Sequence, residues 1–390
     1  MEEAQAVFSP TYSVDGVTMV NKLLIKDTTQ DRIALRDYEI LYPPPIASTA
    51  PSEPLPGDTG AIGEYMRQAI FPQLAPPPFG EIEIRSLSQQ KPVYLFLEKQ
   101  QNIMVVGKLF KHGSVTLDQA WPSAEKEYFN LNLLRHRFGM NNDCCHVVAP
   151  LGKNRELSAL LVTEKAPGKV LDYYIAKAIY EHKSQQLFDR LTSLAKFFVK
   201  LHRNTENDRR VSPALPQSYL TKLLDSLSEW SLDPVERATI EAYATRWWNR
   251  DEVWTTDREV IVHGDATSTN FILHYQEVTG IDLEKMKWAD RCWDLGFIVA
   301  ELKHHFMWRM GDRWAAEPFI GHFLWQYAAS YEDTQFFTIL TRKIPLYMAL
   351  GLLRIARNSW LDDQHRKNLL NEAKLCLEYG LSSLTTTTPS

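Results

Sequence analysis

The alternation of apolar and polar positions divides the chain into a strand-rich stretch followed by a longer helical one. Apolar runs at Ile82-Glu-Ile84, Val93-Tyr-Leu-Phe-Leu97 and Asn102-Ile-Met-Val-Val-Gly-Lys-Leu-Phe110 predict three strands. Their short separation suits an antiparallel meander. Residues 123–138 place Tyr128, Leu131, Leu134 and Phe138 on one helical stripe, and 157–163 read as a further buried strand. Beyond Gly168 the period becomes helical: Leu187, Leu191, Leu194, Phe198 and Leu201 recur on one face. Helices are also predicted at 234–248, where Pro234 follows Ser-Leu-Asp233, at 294–310, and through much of 318–380. No internal repeat is visible.

Before this region, residues 1–42 carry short apolar runs, 17–25 and 32–42, that read as strands or a strand with a short helix. Residues 43–78 hold ten of the 21 prolines, which excludes a continuous helix or central strand. An extended linker interrupted by one helix near 61–70 is expected there. The C-terminal TTTTPS reads as a frayed end. The division predicted is an N-terminal extension with a Pro-rich linker over 1–79, a small lobe over 80–165 and a helical lobe over 166–384. The fold class is α+β, with a small antiparallel-sheet lobe and a larger, mainly helical one.

At 390 residues and 44% hydrophobic, the chain can bury cores for two lobes. A net charge of −5 without a basic run argues against nucleic acid as a partner. Its four cysteines form no C-x-x-C pair, which excludes a zinc ribbon, and Cys144-Cys145 read as small apolar packing residues in a reducing compartment. The start, MEEAQAVFSP, lacks the basic and apolar regions of a signal peptide. No uninterrupted apolar run reaches the length of a bilayer. A cytoplasmic protein without membrane contact is expected, and the N-terminal segment leaves room for a homodimer.

The chemistry concentrates in Val260-Ile-Val-His-Gly-Asp-Ala-Thr-Ser-Thr-Asn-Phe-Ile-Leu273. Two apolar runs flank a loop carrying Asp265 and Asn270, and Ile281-Asp282 follows a Thr-Gly turn. Phosphoryl transfer needs an aligned nucleophile and neutralised phosphate charge, and little covalent chemistry from the protein. One carboxylate, here Asp265, can orient a hydroxyl and accept its proton. Hard oxygen donors, here Asn270 and Asp282, can hold Mg²⁺ on the phosphates.

His263-Gly-Asp265-x₄-Asn270, followed by Ile281-Asp282-Leu-Glu284, resembles the aminoglycoside phosphotransferase and choline kinase superfamily. The resemblance covers roughly residues 80–380. Lys196-Phe-Phe-Val-Lys-Leu-His202 resembles the helix that precedes the catalytic loop in that family, and Asp294-Leu-Gly296 the Asp-Leu pair after its metal-binding strand. It implies a bilobal protein-kinase-like fold and ATP or GTP as co-substrate with Mg²⁺. It also implies a Lys–Glu pair on the nucleotide side, for which Lys108 and Glu127 are the candidates, with Glu125 the rival for the acid. By the same resemblance, Glu164 and Ala166 lie in the hinge that contacts the nucleotide, and Asp294 braces the catalytic loop. The loop at 85–92 departs from protein kinases in having no glycine; Ser86 and Ser88 read as turn residues, with phosphate contact the alternative.

Gly264 stands where protein kinases carry the Arg of H-R-D, and only a dozen residues separate Asp282 from Asp294. Both features favour a small hydroxylated metabolite as acceptor. An atypical protein kinase and a silent kinase-like scaffold remain as alternatives. Glu301, His304, His305 and Trp308 are candidates to border the acceptor pocket, with core packing the alternative for each. Nine of the eleven tryptophans follow residue 240, and Asp362-Asp363 is acidic. Either feature would suit a cationic acceptor, although lobe packing and a solvated turn explain them equally well.

Overall fold

A computed structural model describes residues 59–385 except 89–91, 142, 230, 256 and 332–335. The N-terminal runs at 17–25 and 32–42, the proline-rich stretch up to 58, and the tail beyond 385 lie outside the described residues.

Helix α1 (Thr59–Tyr65) runs on through a π turn, Met66–Ile70, and a 3₁₀ turn, Phe71–Gln73. Its apolar residues Ile62, Met66, Ile70 and Phe71 are fully buried against Tyr94, Phe96, Val105 and Val162 of the small lobe. The segment is therefore part of that lobe's core. The meander expected from the three apolar runs forms as β1 (Ile82–Ser86), β2 (Val93–Glu98) and β3 (Ile103–Leu109), paired antiparallel.

Helix α2 (Leu117–Arg137) begins six residues before the predicted start. Thr116 caps it: the Gln119 N–H donates to Thr116 Oγ1 and the Thr116 N–H to Gln119 Oε1. Pro122 sits inside the helix and forgoes one backbone bond without ending it. Strand β4 (Cys145–Val147) is too short to show a period, and β5 (Pro150–Asn154) carries Pro150 and Gly152 in place of an apolar alternation. Strand β6 (Leu160–Glu164) starts three residues later than predicted, because Ser158 and Ala159 adopt left-handed φ values of 57° and 53° in the preceding turn. The small-lobe sheet has the order β1-β2-β3-β6-β5.

The second lobe opens with β7 (Lys169–Val170), α3 (Leu171–Tyr180), α4 (Ser184–Thr205), α5 (Ala214–Ser228), α6 (Pro234–Trp248) and α7 (Asp251–Trp254). Helix α6 starts where Asp233 caps it, its Oδ1 accepting the N–H groups of Val235 and Glu236. Then come β8 (Val260–Val262), β9 (Phe271–His274), β10 (Glu277–Gly280) and β11 (Lys287–Ala289). The helices α8 (Cys292–Met310), α9 (Glu317–Ala328), α10 (Phe336–Ala356) and α11 (Asp363–Thr385) complete it. One sheet has the order β4-β10-β9-β7, and β8 pairs with β11.

Helix α10 is long and apolar enough by composition to cross a bilayer, which a search for uninterrupted apolar runs passes over. Here it is mostly buried, packed against α8 and α11. Of the cysteine pair, Cys145 is buried as expected, whereas Cys144 is exposed.

Candidate active site

The short, wholly buried strand β8 delivers residues 263–270 as a loop that ends where β9 begins. The loop's shape is held from below by Asp294 in the first turn of α8, which is fully buried. Asp294 accepts the backbone N–H of His263 at 2.7 Å and of Gly264 at 3.0 Å, so one carboxylate fixes two consecutive amides. His202, at the end of α4, lies 3.5 Å from the same carboxylate and 2.8 Å from the Tyr327 hydroxyl. Burial pushes its pKa down, against the pull of Asp294.

His263 ties this loop to the next segment. Its Nε2 donates to the Ile281 carbonyl at 2.8 Å, while Nδ1 accepts the Asp265 N–H at 3.4 Å. Gly264 has φ +80°, and a Cβ there would overlap the carbonyl oxygen of Lys285. The position that bears arginine in H-R-D loops can hold only glycine in this chain.

Asp265 is buried with its carboxylate between two cations: Lys285 Nζ at 2.8 Å from Oδ2 and Arg354 Nη2 at 2.9 Å from Oδ1. Burial alone would raise its pKa, but Arg354 and Lys285 outweigh it and hold the carboxyl below its ordinary value. The acid is therefore ionised at neutral pH. Asn270 donates from Nδ2 to the Asp265 carbonyl at 2.9 Å, which leaves its Oδ1 to serve as a donor to a cation. Asp282 follows β10 in the left-handed region, φ 62° and ψ 56°, a conformation that costs a non-glycine residue roughly 1–2 kcal/mol.

The small lobe reaches into this place through Lys108 on β3. Its ammonium lies 2.8 Å from Glu127 on α2, 2.6 Å from Asp282 and 3.3 Å from Glu284. Burial works against that ammonium, but the three carboxylates outweigh it and hold its pKa above the ordinary value. Burial, with Asp282 and Glu284 adding to it, pushes the Glu127 carboxyl up; Lys108 opposes this. Glu125 instead pairs with Lys153, so it is Glu127 that faces the cleft. Asn130 adds a second tie between α2 and the segment after β10, donating to the Leu283 carbonyl at 2.7 Å. The carboxylate oxygens of Glu127, Asp282 and Glu284 lie within 4.8 Å of one another. Carboxylate oxygens so grouped are hard donors of the kind Mg²⁺ takes.

Glu164 and Ala166 sit at the junction of the lobes. Glu164 donates its N–H to the Ala149 carbonyl at 2.9 Å and accepts the Ala149 N–H on Oε1 at 2.7 Å. Ala166 is buried, and its carbonyl accepts from Lys165 Nζ at 2.6 Å. Ser86 Oγ donates within its own turn, to the Ser88 carbonyl at 2.8 Å.

The candidates for the acceptor pocket divide. Glu301 is buried under the 263–270 loop, where it accepts from Ser268 Oγ at 2.8 Å and lies 3.3 Å from Arg354. His305 Nε2 is 3.0 Å from the same Ser268 hydroxyl. Both brace the loop from α8. His304 is paired with His365 at 2.8 Å, and Trp308 Nε1 donates to Asp362 at 3.2 Å. Asp362 also accepts the His365 N–H, and Asp363 pairs with Arg366 at 2.5 Å. The acidic pair is thus engaged at the start of α11.

Sequence reasoning missed Lys285 and Arg354, the two cations on Asp265. Lys285 stands immediately after the Asp282-Leu-Glu motif. Arg354 lies 89 residues from its partner, its one local signal being a lone charge in the apolar run Leu346–Ala356.

A model of the phosphotransferase enzyme family matches residues 129–337, more than half of the chain. No curated protein sequence matches it. Among solved structures, a choline/ethanolamine kinase family protein from Mesorhizobium loti is similar at 14% identity and TM-score 0.52, over 83% of this chain and 98% of that one. The gentamicin–APH(2″)-IIa complex is similar at 16% identity and TM-score 0.51, over 85% and 97%. At such identities the likeness is one of fold, and it agrees with the two lobes and the loop between them described above. By its sequence match, the chain belongs to the phosphotransferase enzyme family, built on a bilobal kinase-like fold.

Proposed function

We propose that the protein transfers the γ-phosphate of ATP or GTP to a hydroxyl of a small metabolite, with Asp265 as its catalytic base. The observation that carries this reading is a single one. Lys108 from the small lobe lies against Asp282, in the segment that also supplies Lys285 to the carboxylate of Asp265. Phosphate-side and acceptor-side groups are thereby collected in one cleft.

In this reading the acceptor hydroxyl donates to Asp265, whose two oxygens keep lone pairs beyond those taken by Lys285 and Arg354. As the hydroxyl oxygen bonds to the γ-phosphorus, the bond to the nucleoside diphosphate breaks and the proton passes to Asp265. With its pKa held low, Asp265 acts mainly by alignment and takes the proton late. Lys108, kept in place by Glu127, pairs with the nucleotide's phosphates. Asn270 and Asp282 would hold Mg²⁺, which supplies neutralisation of the phosphate charge when bound. Glu164 and Ala166 would meet the nucleotide's base through backbone groups.

The segment after Asp282 runs through one 3₁₀ turn straight into β11 and α8. A peptide-binding activation segment has no room there, which favours a small acceptor. The test is Asp265→Asn: nucleotide binding should stay close to wild type while turnover of any accepted metabolite falls by at least about 10²-fold. A variant that keeps its turnover removes Asp265 from the role.

A further inference from the structure

The charges around Asp265 do not balance. Lys285 and Arg354 reach its carboxylate directly, and Arg354 also meets Glu301. Lys287, two residues on from Lys285 and paired across β11 to Val262, contributes a third cation. Its ammonium makes no ion pair among the described residues; it sits 3.4 Å from the centre of the Trp293 ring and 5.8 Å from that of Tyr219. Tyr219 packs on Trp293 at 5.0 Å and on Phe297 at 6.1 Å, and Arg354 lies 5.7 Å from the Phe297 ring. These contacts join Lys287 to Arg354 through one aromatic patch beside Asp265.

The neighbouring carboxylates are already matched. Asp294 takes two backbone amides, Asp172 pairs with Arg309, and Glu301 with Arg354. Burial drives the Lys287 pKa down to about 8, with Asp294 and Asp265 pulling upward and Lys285 and Lys126 adding to the fall. An ammonium so placed gains by meeting an anion. It also occupies the aromatic face that a cationic acceptor would need.

We propose that the acceptor is an anionic hydroxylated metabolite, its carboxylate or phosphate group paired with Lys287 while its hydroxyl lies at Asp265. This inference rests on the phosphotransferase reading above. The experiment follows ADP formation from Mg²⁺-ATP with matched acceptors: glucuronate and glucose 6-phosphate as the two kinds of anion, glucose as the neutral form and glucosamine as the cation. Three-carbon counterparts, glycerate, glycerol 3-phosphate, glycerol and serinol, run beside them.

Turnover is expected with at least one anion, at a kcat/KM at least about tenfold above its neutral counterpart and lowest for the cation. Lys287→Met should then raise KM for that anion about ten- to hundredfold and leave KM for ATP unchanged, while Lys287→Arg restores most of the loss. Preference between glucuronate and glucose 6-phosphate, or between their three-carbon analogues, tells carboxylate from phosphate. Turnover confined to neutral or cationic acceptors overturns the inference. So does an unchanged anion KM in Lys287→Met, or no turnover of any anion by a protein that Mg²⁺-ATP still stabilises. A protein that Mg²⁺-ATP does not stabilise at all brings down the parent reading instead.

Discussion

Gly264 shows how much of the site depends on one missing carbon. Its φ of +80° and the Lys285 carbonyl against it leave no place for a Cβ, while its N–H is needed by Asp294. Gly264→Ala should lower stability by more than about 1–2 kcal/mol, since left-handed strain and the overlap add. Thermal melting checks this: a melting temperature equal to wild type would mean that the loop relaxes freely. At this scale the sequence shows the residues of the motif itself, though not Lys285 directly beside it. Asp265, Asn270 and Asp282 lie within one short stretch whose spacing can be read directly, and the structure gathers them. Arg354 was illegible because its partner comes from another element 89 residues away, brought near by helix packing alone. Glu301 was picked out, but as a pocket residue; only the fold shows that it lies under the loop, on Ser268.

Among the elements, strong periods were read well and local signals poorly. Helix α6 begins and ends as predicted, because Asp233-Pro234 makes an explicit start. Helix α2 starts six residues ahead of the stretch its apolar stripe predicts, because the Thr116–Gln119 capping box opens it upstream of that stripe. Thr116→Ala should therefore cost about 1 kcal/mol, measured by urea unfolding. No loss would mean that the first turn of α2 is held by packing and not by its cap. Strand β4 carries too few residues for a period to emerge and β5 holds Pro150 and Gly152 in place of one; both exist because neighbouring strands pair with them.

On the scale of the whole molecule, the lobes meet through charge. Lys108 on β3 and Glu127 on α2 come from the small lobe, and Asp282 and Glu284 from the other, so one ammonium spans the cleft. Asn130 fastens the same helix to the Leu283 carbonyl. The two-lobed division was legible because the hydrophobic period changes from strand to helix along the chain. The closeness of Lys108 to Asp282, 174 residues away, cannot be read from either residue's surroundings, and the resemblance implies only the pairing of Lys108 with Glu127.

A nucleotide arriving with Mg²⁺ would exchange the Lys108–Asp282 contact for phosphate and metal contacts. The most direct measurement is thermal melting of the wild type and of Asp282→Ala with ATP, GTP and ADP, each with and without Mg²⁺. Ligands that bind only the folded state stabilise it, by about 2.7 kcal/mol at a hundredfold excess over Kd. The account predicts an upward shift of several degrees that requires Mg²⁺ in the wild type and is largely lost in Asp282→Ala. No shift in the wild type at millimolar nucleotide, or an equal shift in the variant, would contradict it.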